Sequence, residues 1–292
     1  MKGILTKSSI VFASIFGYLL LVEILVILCK PSLFLSMEMF INRMMFLGIF
    51  IFSYIVKPKV NYKIWALLTV ILVYAGLSGL YKETAILNSF FQPKIDEKLL
   101  ILEQKIWGFQ PSLSFSAFFN HKWFSELMFF GYFSYYLMPL AVIFAIYKKE
   151  YKKIEDFGFI LITSFLIYYA VFIFLPAVGP QFYFEPPQNQ IEAQGIFGKL
   201  IKLIQKNGEA PTAAFPSSHI GISIIVLIWL RKNLKKVFIY FIPTTILLIL
   251  ATVYIKAHYS VDALAGFISA PMVYWTSNRS LNCIKKWLEK NL

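Results

Sequence analysis

The sequence predicts an all-α, polytopic membrane helix bundle of about eight transmembrane helices, with a six-helix core and an interfacial amphipathic helix. Three observations carry that expectation. Of 292 residues, 59% are hydrophobic and only 15% charged, where a soluble domain has roughly a quarter charged. Apolar runs near the ~20 residues that cross a hydrocarbon core recur along the whole chain. Lysine and arginine gather in alternate gaps between those runs, as the positive-inside rule requires.

The runs fall at 9–29, 33–56, 64–80, 124–147, 157–178, 217–231, 237–256 and 260–276. The first, Ser9 to Cys29, follows Lys2 and Lys7 and ends without a small-x-small cleavage pattern, so a retained anchor is expected. The second contains Glu38, Asn42 and Arg43, and the sixth is short unless Pro216 and the serine pair are counted in. Cys29 and Cys283 make no disulfide framework.

The net charge of +13 raises nucleic acid as a partner, and the distribution of that charge argues against it. With the N-terminus inside, 17 of the 28 basic residues fall in short segments on one side: Lys2 and Lys7, Lys57 to Lys63, "KKEYKK" (148–153), "RKNLKK" (231–236) and the tail from Arg279. The charge is therefore mainly a topology signal, with both termini cytoplasmic. Two long segments, 81–123 and 179–216, lie on the outer side. In the first, Ile95, Leu99, Leu102, Ile106 and Phe109 recur at helical spacing behind acidic residues, which predicts an amphipathic helix in the outer interface that covers the bundle rim.

The three histidines, His121, His219 and His258, all fall at outer ends of runs or in outer segments. His121, in "FFNHKW", has no partner pattern and reads as an interfacial side chain. His258, in "VYIKAHYSVDALAG" (253–266), has Asp262 four residues on, one helical turn away. Asp262 can accept one ring N–H, fix the tautomer and leave the other nitrogen to attack; taken alone, the pattern reads first as a polar helix start with Asp262 as a capping group. His219 follows "FPSS", where Pro216 suits a first turn and Ser217 and Ser218 suit a cap. The free N–H groups of such a helix start hold anions, and a histidine there is placed to pass a proton to a phosphoryl leaving group.

"FPSSH" followed some forty residues later by "VYIKAHYSVDALAG" resembles the second and third signature motifs of the type 2 phosphatidic acid phosphatase superfamily. The resemblance implies a six-helix core over residues 64–276, preceded by a two-helix hairpin (1–63) and followed by a basic cytoplasmic tail (277–292). It implies His258 as the nucleophile of a phosphohistidine intermediate, Asp262 as its orienting group, His219 as the acid for the departing alkoxide, and Ser217 and Ser218 as a cradle for phosphoryl oxygens. It requires no metal and no cofactor.

The sequence also departs from that pattern. The glycine before the first histidine is Ser218, the Ser-Arg pair falls on Ala251 and Thr252, and "LPAVGPQFYFEPP" (175–187) contains no lysine or arginine where the first motif should stand. These departures, with "ID" (95–96), "GFQPS" (108–112) and "YFSYYLMP" (132–139), resemble the branch of inositol phosphorylceramide synthases and their bacterial relatives. That branch implies transfer of a phospho-head group from a membrane phospholipid to a lipid or alcohol acceptor. A phosphodiester carries one negative charge and needs fewer cationic ligands than a monoester. The remaining candidates for neutralising developing charge are Lys256 and Arg43, with Gln181 and Tyr183 as hydrogen-bond donors. Lys256 also reads as a snorkelling interfacial lysine. For Arg43 the preferred reading is an intramembrane pair with Glu38 or Asn42. The rival functions are a lipid phosphate phosphatase using the same site, and a non-catalytic lipid transporter, which predicts midplane charges in repeated broken helices.

Overall fold

A computed structural model describes residues 8–29, 36–88, 93–208 and 211–291; Lys2 and Lys7 lie outside them, as do residues 33–35 of the second run. The described chain is 83% helix. Its helices are α1 (Val11–Cys29), α2 (Met37–Val56), α3 (Tyr62–Asn88), α4 (Asp96–Trp107), α5 (Pro111–Phe118), α6 (Lys122–Lys149), α7 (Ile154–Phe174), α8 (Pro180–Tyr183), α9 (Ile196–Gly208), α10 (Ser218–Asn233), α11 (Lys235–Tyr254) and α12 (Ser260–Asn291). The only bridge between extended residues among them joins Ala177 and Ala213.

Each apolar run is helical over most of its described residues. Among the described residues six helices are long and apolar enough to cross a membrane: α1, α2 with its 3-10 extension to Lys59, α3, α6, α7 with the 3-10 turn that opens it, and α11. The sixth and eighth runs became α10 and α12. At 16 residues α10 is about 24 Å long, short of a ~30 Å hydrocarbon core. The 32 residues of α12 take in the whole polar tail and are not among the six.

Two compact units are present. The first contains residues 1–83, 140–167 and 273–292, and the second 84–139 and 168–272. The first is held by polar contacts: Ser9 Oγ donates to Glu155 at 2.5 Å, Ser53 and Thr69 share a buried hydrogen bond of 2.8 Å, and Lys285 pairs with Asp156 at 2.6 Å. Small residues let its helices approach closely. A Cβ added at Gly158 would lie 2.6 Å from Val70 Cγ2. The second unit uses the same device, Gly131 of α6 standing where a Cβ would meet Leu247 of α11 at 2.7 Å. This second unit holds both motif histidines, and the elements below belong to it.

Candidate active site

Ser217 caps α10: its Oγ accepts the Ile220 N–H at 3.4 Å, so Pro216 stands just before the cap and not in the first turn. The Ser217 N–H donates to the Asp262 carbonyl at 3.1 Å, and Gly266 lies against the Ser217 carbonyl with no room for a Cβ. These contacts hold the first turns of α10 and α12 together. His219 and Ser218 are therefore delivered to the chain segment that carries His258.

That segment turns sharply after α11. Lys256 takes a left-handed conformation (φ 65°), the one non-glycine residue to do so among those described, and the His258 N–H returns to the Thr252 carbonyl at 3.1 Å. The His258 ring is buried, with Nδ1 2.9 Å from the Ala214 carbonyl. A carbonyl only accepts, so Nδ1 carries the proton and Nε2 presents its lone pair. Nε2 faces His219 Nδ1 at 3.2 Å. With both rings neutral, His219 is the donor in that bond.

Asp262 does not make the hydrogen bond that the sequence suggested. Its Oδ2 lies 3.7 Å from His258 Nδ1 and instead accepts the Tyr259 N–H at 3.0 Å, closing the N-terminus of α12 from the third helical position. The Ala214 carbonyl is nearer and takes the ring proton. Asp262 is fully buried, and its Oδ1 has no hydrogen-bond partner among the described residues. It remains the carboxyl group that stands beside the ring, at that 3.7 Å.

Around this pair stand residues whose part the sequence did not give. Tyr132, Tyr135 and Tyr136, on one face of α6, pack their rings 4.8, 4.2 and 6.4 Å from that of His219. Helix α4 grips the other side. Asp96 accepts from the Val178 N–H, the Gly179 N–H (3.0 Å) and the Tyr259 hydroxyl (3.0 Å), while Glu103 accepts from the Ser260 N–H (2.5 Å) and Oγ (2.6 Å). Leu99 packs between them against Tyr259 and Val261. The buried face of α4 thus runs Asp96, Leu99, Glu103, two of them carboxylates, and the predicted stripe residues Leu102, Ile106 and Phe109 are exposed. Burial pushes the Glu103 carboxyl above its usual range, against the pull of the two Ser260 donors.

Gly179 completes the frame. At φ 82°, with the Ala257 carbonyl 2.8 Å from where a Cβ would stand, the "GP" turn tolerates only glycine there. It brings the Gln181 N–H to the Lys256 carbonyl at 2.8 Å. The Gln181 side chain accepts from Gln205 at 2.7 Å, and Tyr183 is a partly exposed ring packed on Phe184. Gln181 therefore supports the turn through its backbone.

The charged ends of both expected cations are held by other groups. The Lys256 ammonium is held by the carbonyls of Gln188 and Gln190, beside a cavity of about 550 Å³ that Ser125, Glu126 and Asn120 also line. Burial first, then nearby Lys202, push this ammonium below the usual lysine range. Arg43 belongs to the other unit and is paired there with Glu23 at 2.6 Å and with Glu83, which Asn42 also contacts. An intramembrane pair was expected for Arg43, but with Glu38 or Asn42. The partners came from helices distant in sequence.

A family model described as the PAP2 superfamily matches residues 97–276, more than half of the chain and the whole stretch from α4 into α12. A PA-phosphatase related-family protein of Dictyostelium discoideum is 23% identical over 209 residues, 64% of this chain and 37% of the relative. The chain thus spans little more than a third of the length of that relative. No solved structure matches. Both motif histidines, their carboxylate and the α4 clamp lie inside or at the edge of the matched residues, and the chain belongs to the PAP2 superfamily.

Proposed function

We propose that this is an integral membrane enzyme that breaks a phospholipid phosphoester through His258 and passes the phospho-head group to a lipid or alcohol acceptor. The observation that carries the reading is the opposed pair of ring nitrogens, His258 Nε2 and His219 Nδ1, 3.2 Å apart at the capped start of α10. In-line displacement at phosphorus needs a nucleophile on one side and a proton source on the other.

In the proposed cycle the phosphoryl group enters between the rings, which must part by several ångströms to admit it. Its negative charge draws a second proton onto His219. His258 Nε2 attacks phosphorus, the P–O bond to the diacylglycerol oxygen breaks, and the His219 imidazolium gives that oxygen its proton. The positive charge that forms on His258 faces Asp262 and the Ala214 carbonyl. His219, now neutral, takes the proton of the acceptor hydroxyl, whose oxygen attacks phosphorus as the N–P bond breaks. Ser217, Ser218 and the first N–H groups of α10 receive the non-bridging oxygens.

Transfer is preferred over hydrolysis because the two cations available as clamps are engaged elsewhere, Lys256 by carbonyls and Arg43 by two glutamates. Such a site suits a monoanionic diester. Water in place of the acceptor gives a phosphatase, the direction in which the relative's name points. Both termini are proposed to face the cytoplasm and the site the opposite side. The test is to incubate purified protein with phospholipids labelled in the head-group phosphate, with and without alcohol or ceramide acceptors, and to identify products. A labelled acceptor is the expected product; free phosphate or a released phospho-head group alone would rule out the transferase.

A further inference from the structure

Arg43 stands in a cluster of the first unit that the proposed reaction does not use, and that cluster holds more acid than base. Its carboxyls are Glu23 of α1 and Glu83 of α3, and its cation is Arg43 of α2. Six residues, about 9 Å of helix, separate Glu23 from the end of α1 at Cys29 and Arg43 from the start of α2 at Met37. All three helices are long and apolar enough to cross a membrane. The Glu83 side chain is only 1% exposed, against 17% for Arg43 and 26% for Glu23.

The titratable groups that face Glu83 are Tyr18 and Glu23 from α1 and Arg43 from α2. With both carboxyls ionised, one guanidinium would leave a net negative charge among apolar helices, and an unbalanced charge there is expensive. The hydrogen bonds of Glu83 show where the balance is made. Asn42 Nδ2, at 2.6 Å, and Arg43 Nη1 both donate to Oε1, while Oε2 is buried and has no hydrogen-bond partner among the described residues. An ionised carboxylate has two equivalent acceptor oxygens; a carboxylic acid accepts through its carbonyl oxygen and carries a hydrogen on the other. The Tyr18 hydroxyl is a buried acceptor with no hydrogen bond of its own among the described residues.

The neighbours fit the same assignment. Glu23 is partly exposed and takes the Arg43 Nε–H at 2.6 Å, as an ionised partner does. Asn42 Nδ2 also donates to the Gly79 carbonyl at 3.1 Å, and Gly79 leaves no room for a Cβ beside the Asn42 side chain, so the amide is held nitrogen-first against Glu83.

We propose that this cluster is an intramembrane proton-binding site, in which Glu83 holds a proton as a carboxylic acid at neutral pH and Glu23 and Arg43 form a neutral ion pair beside it. Balanced in this way, the three helices bring no net charge into the apolar layer. Helices α1 and α2, which lie outside the residues matched by the family model, then seat on α3 through a neutral polar junction. The site is independent of the phosphoester chemistry above.

Infrared difference spectra of the full chain, reconstituted in phosphatidylcholine at neutral pH, read the site through the carboxylic acid C=O band, which shifts in D2O. Glu83→Gln is expected to remove one such band from the native spectrum. Glu23→Gln should remove the same band, because Glu83 then ionises to pair with Arg43. Glu83→Asp should move the band and Glu23→Asp should leave it in place. Since the glutamine replaces a group that is already neutral, Glu83→Gln should fold and melt close to native, whereas breaking a buried ion pair is strongly destabilising. Three results overturn the proposal: all native acid bands persisting in Glu83→Gln, a band that moves in Glu23→Asp and not in Glu83→Asp, or a Glu83→Gln chain that fails to fold or melts well below native.

Discussion

His258 and His219 are set by partners with unequal sequence signals. The ring proton of His258 is fixed by the carbonyl of Ala214, and any residue there supplies a carbonyl, so no pattern announces it. The pairing itself was legible only from the two segments together, because HxxxD alone also fits a capping carboxylate and gains meaning from a capped helix start that carries a histidine. Their roles separate in a kinetic experiment. His219→Asn is expected to lower kcat by ~10²–10⁴-fold on a phospholipid but far less on a p-nitrophenyl phosphodiester, whose leaving group needs no proton. His258→Ala should abolish both. Asp96 is a buried carboxylate with three donors, and Asp96→Asn, its oxygen kept towards Gly179 and Tyr259, turns an amide N–H towards the Val178 N–H. The expected loss is about 2 kcal/mol or more, read as a lowered melting temperature together with reduced kcat.

Helix α4 illustrates what hydrophobic periodicity misses. The spacing of Leu99, Leu102 and Ile106 located the helix correctly, but buried carboxylates occupy the inward face and most of the apolar stripe is exposed. A period shows that a helix has two faces; it does not tell which of them meets protein when lipid is also apolar. The same ambiguity hid α9 within a long polar segment. Glu103 gives α4 a pH signature. Its carboxyl is held above the usual Glu value of 4.5, so the folded state binds this proton more tightly than the unfolded chain does. The stability it contributes is complete below pH 4.5 and is lost as pH rises through the elevated value. The melting temperature of native protein minus that of Glu103→Gln should therefore decrease on raising pH from 4.5; an increase would show that the Ser260 donors outweigh burial.

For the whole molecule, the composition and charge pattern were enough to give a polytopic all-α protein, and each of the eight apolar runs holds a helix among its described residues. What the pattern could not give is how distant helices pair, since lipid-facing and protein-facing leucines look alike in sequence. Arg43 is the example: Glu23 and Glu83 lie 20 and 40 residues away on other helices. Arg43→Leu leaves two glutamates without their cation and is expected to cost about 3–5 kcal/mol of stability, while kcat of the protein that remains folded stays near native. A large fall in kcat at unchanged stability would return Arg43 to the site. The proposed orientation has its own readout in Cys283, which is exposed on the C-terminal part of α12. In right-side-out vesicles of a Cys29→Ala variant it should react with an impermeant maleimide only after permeabilisation.

The central claim is that the phosphoryl group passes through His258. Acid-sensitive, base-stable label trapped on the protein after a brief reaction with phospholipid carrying ³²P in its head-group phosphate tests it most directly. The expected result is label on the peptide containing His258, absent in His258→Ala and discharged by the acceptor alcohol. Full turnover by folded His258→Ala, or label retained in that variant, would contradict the account.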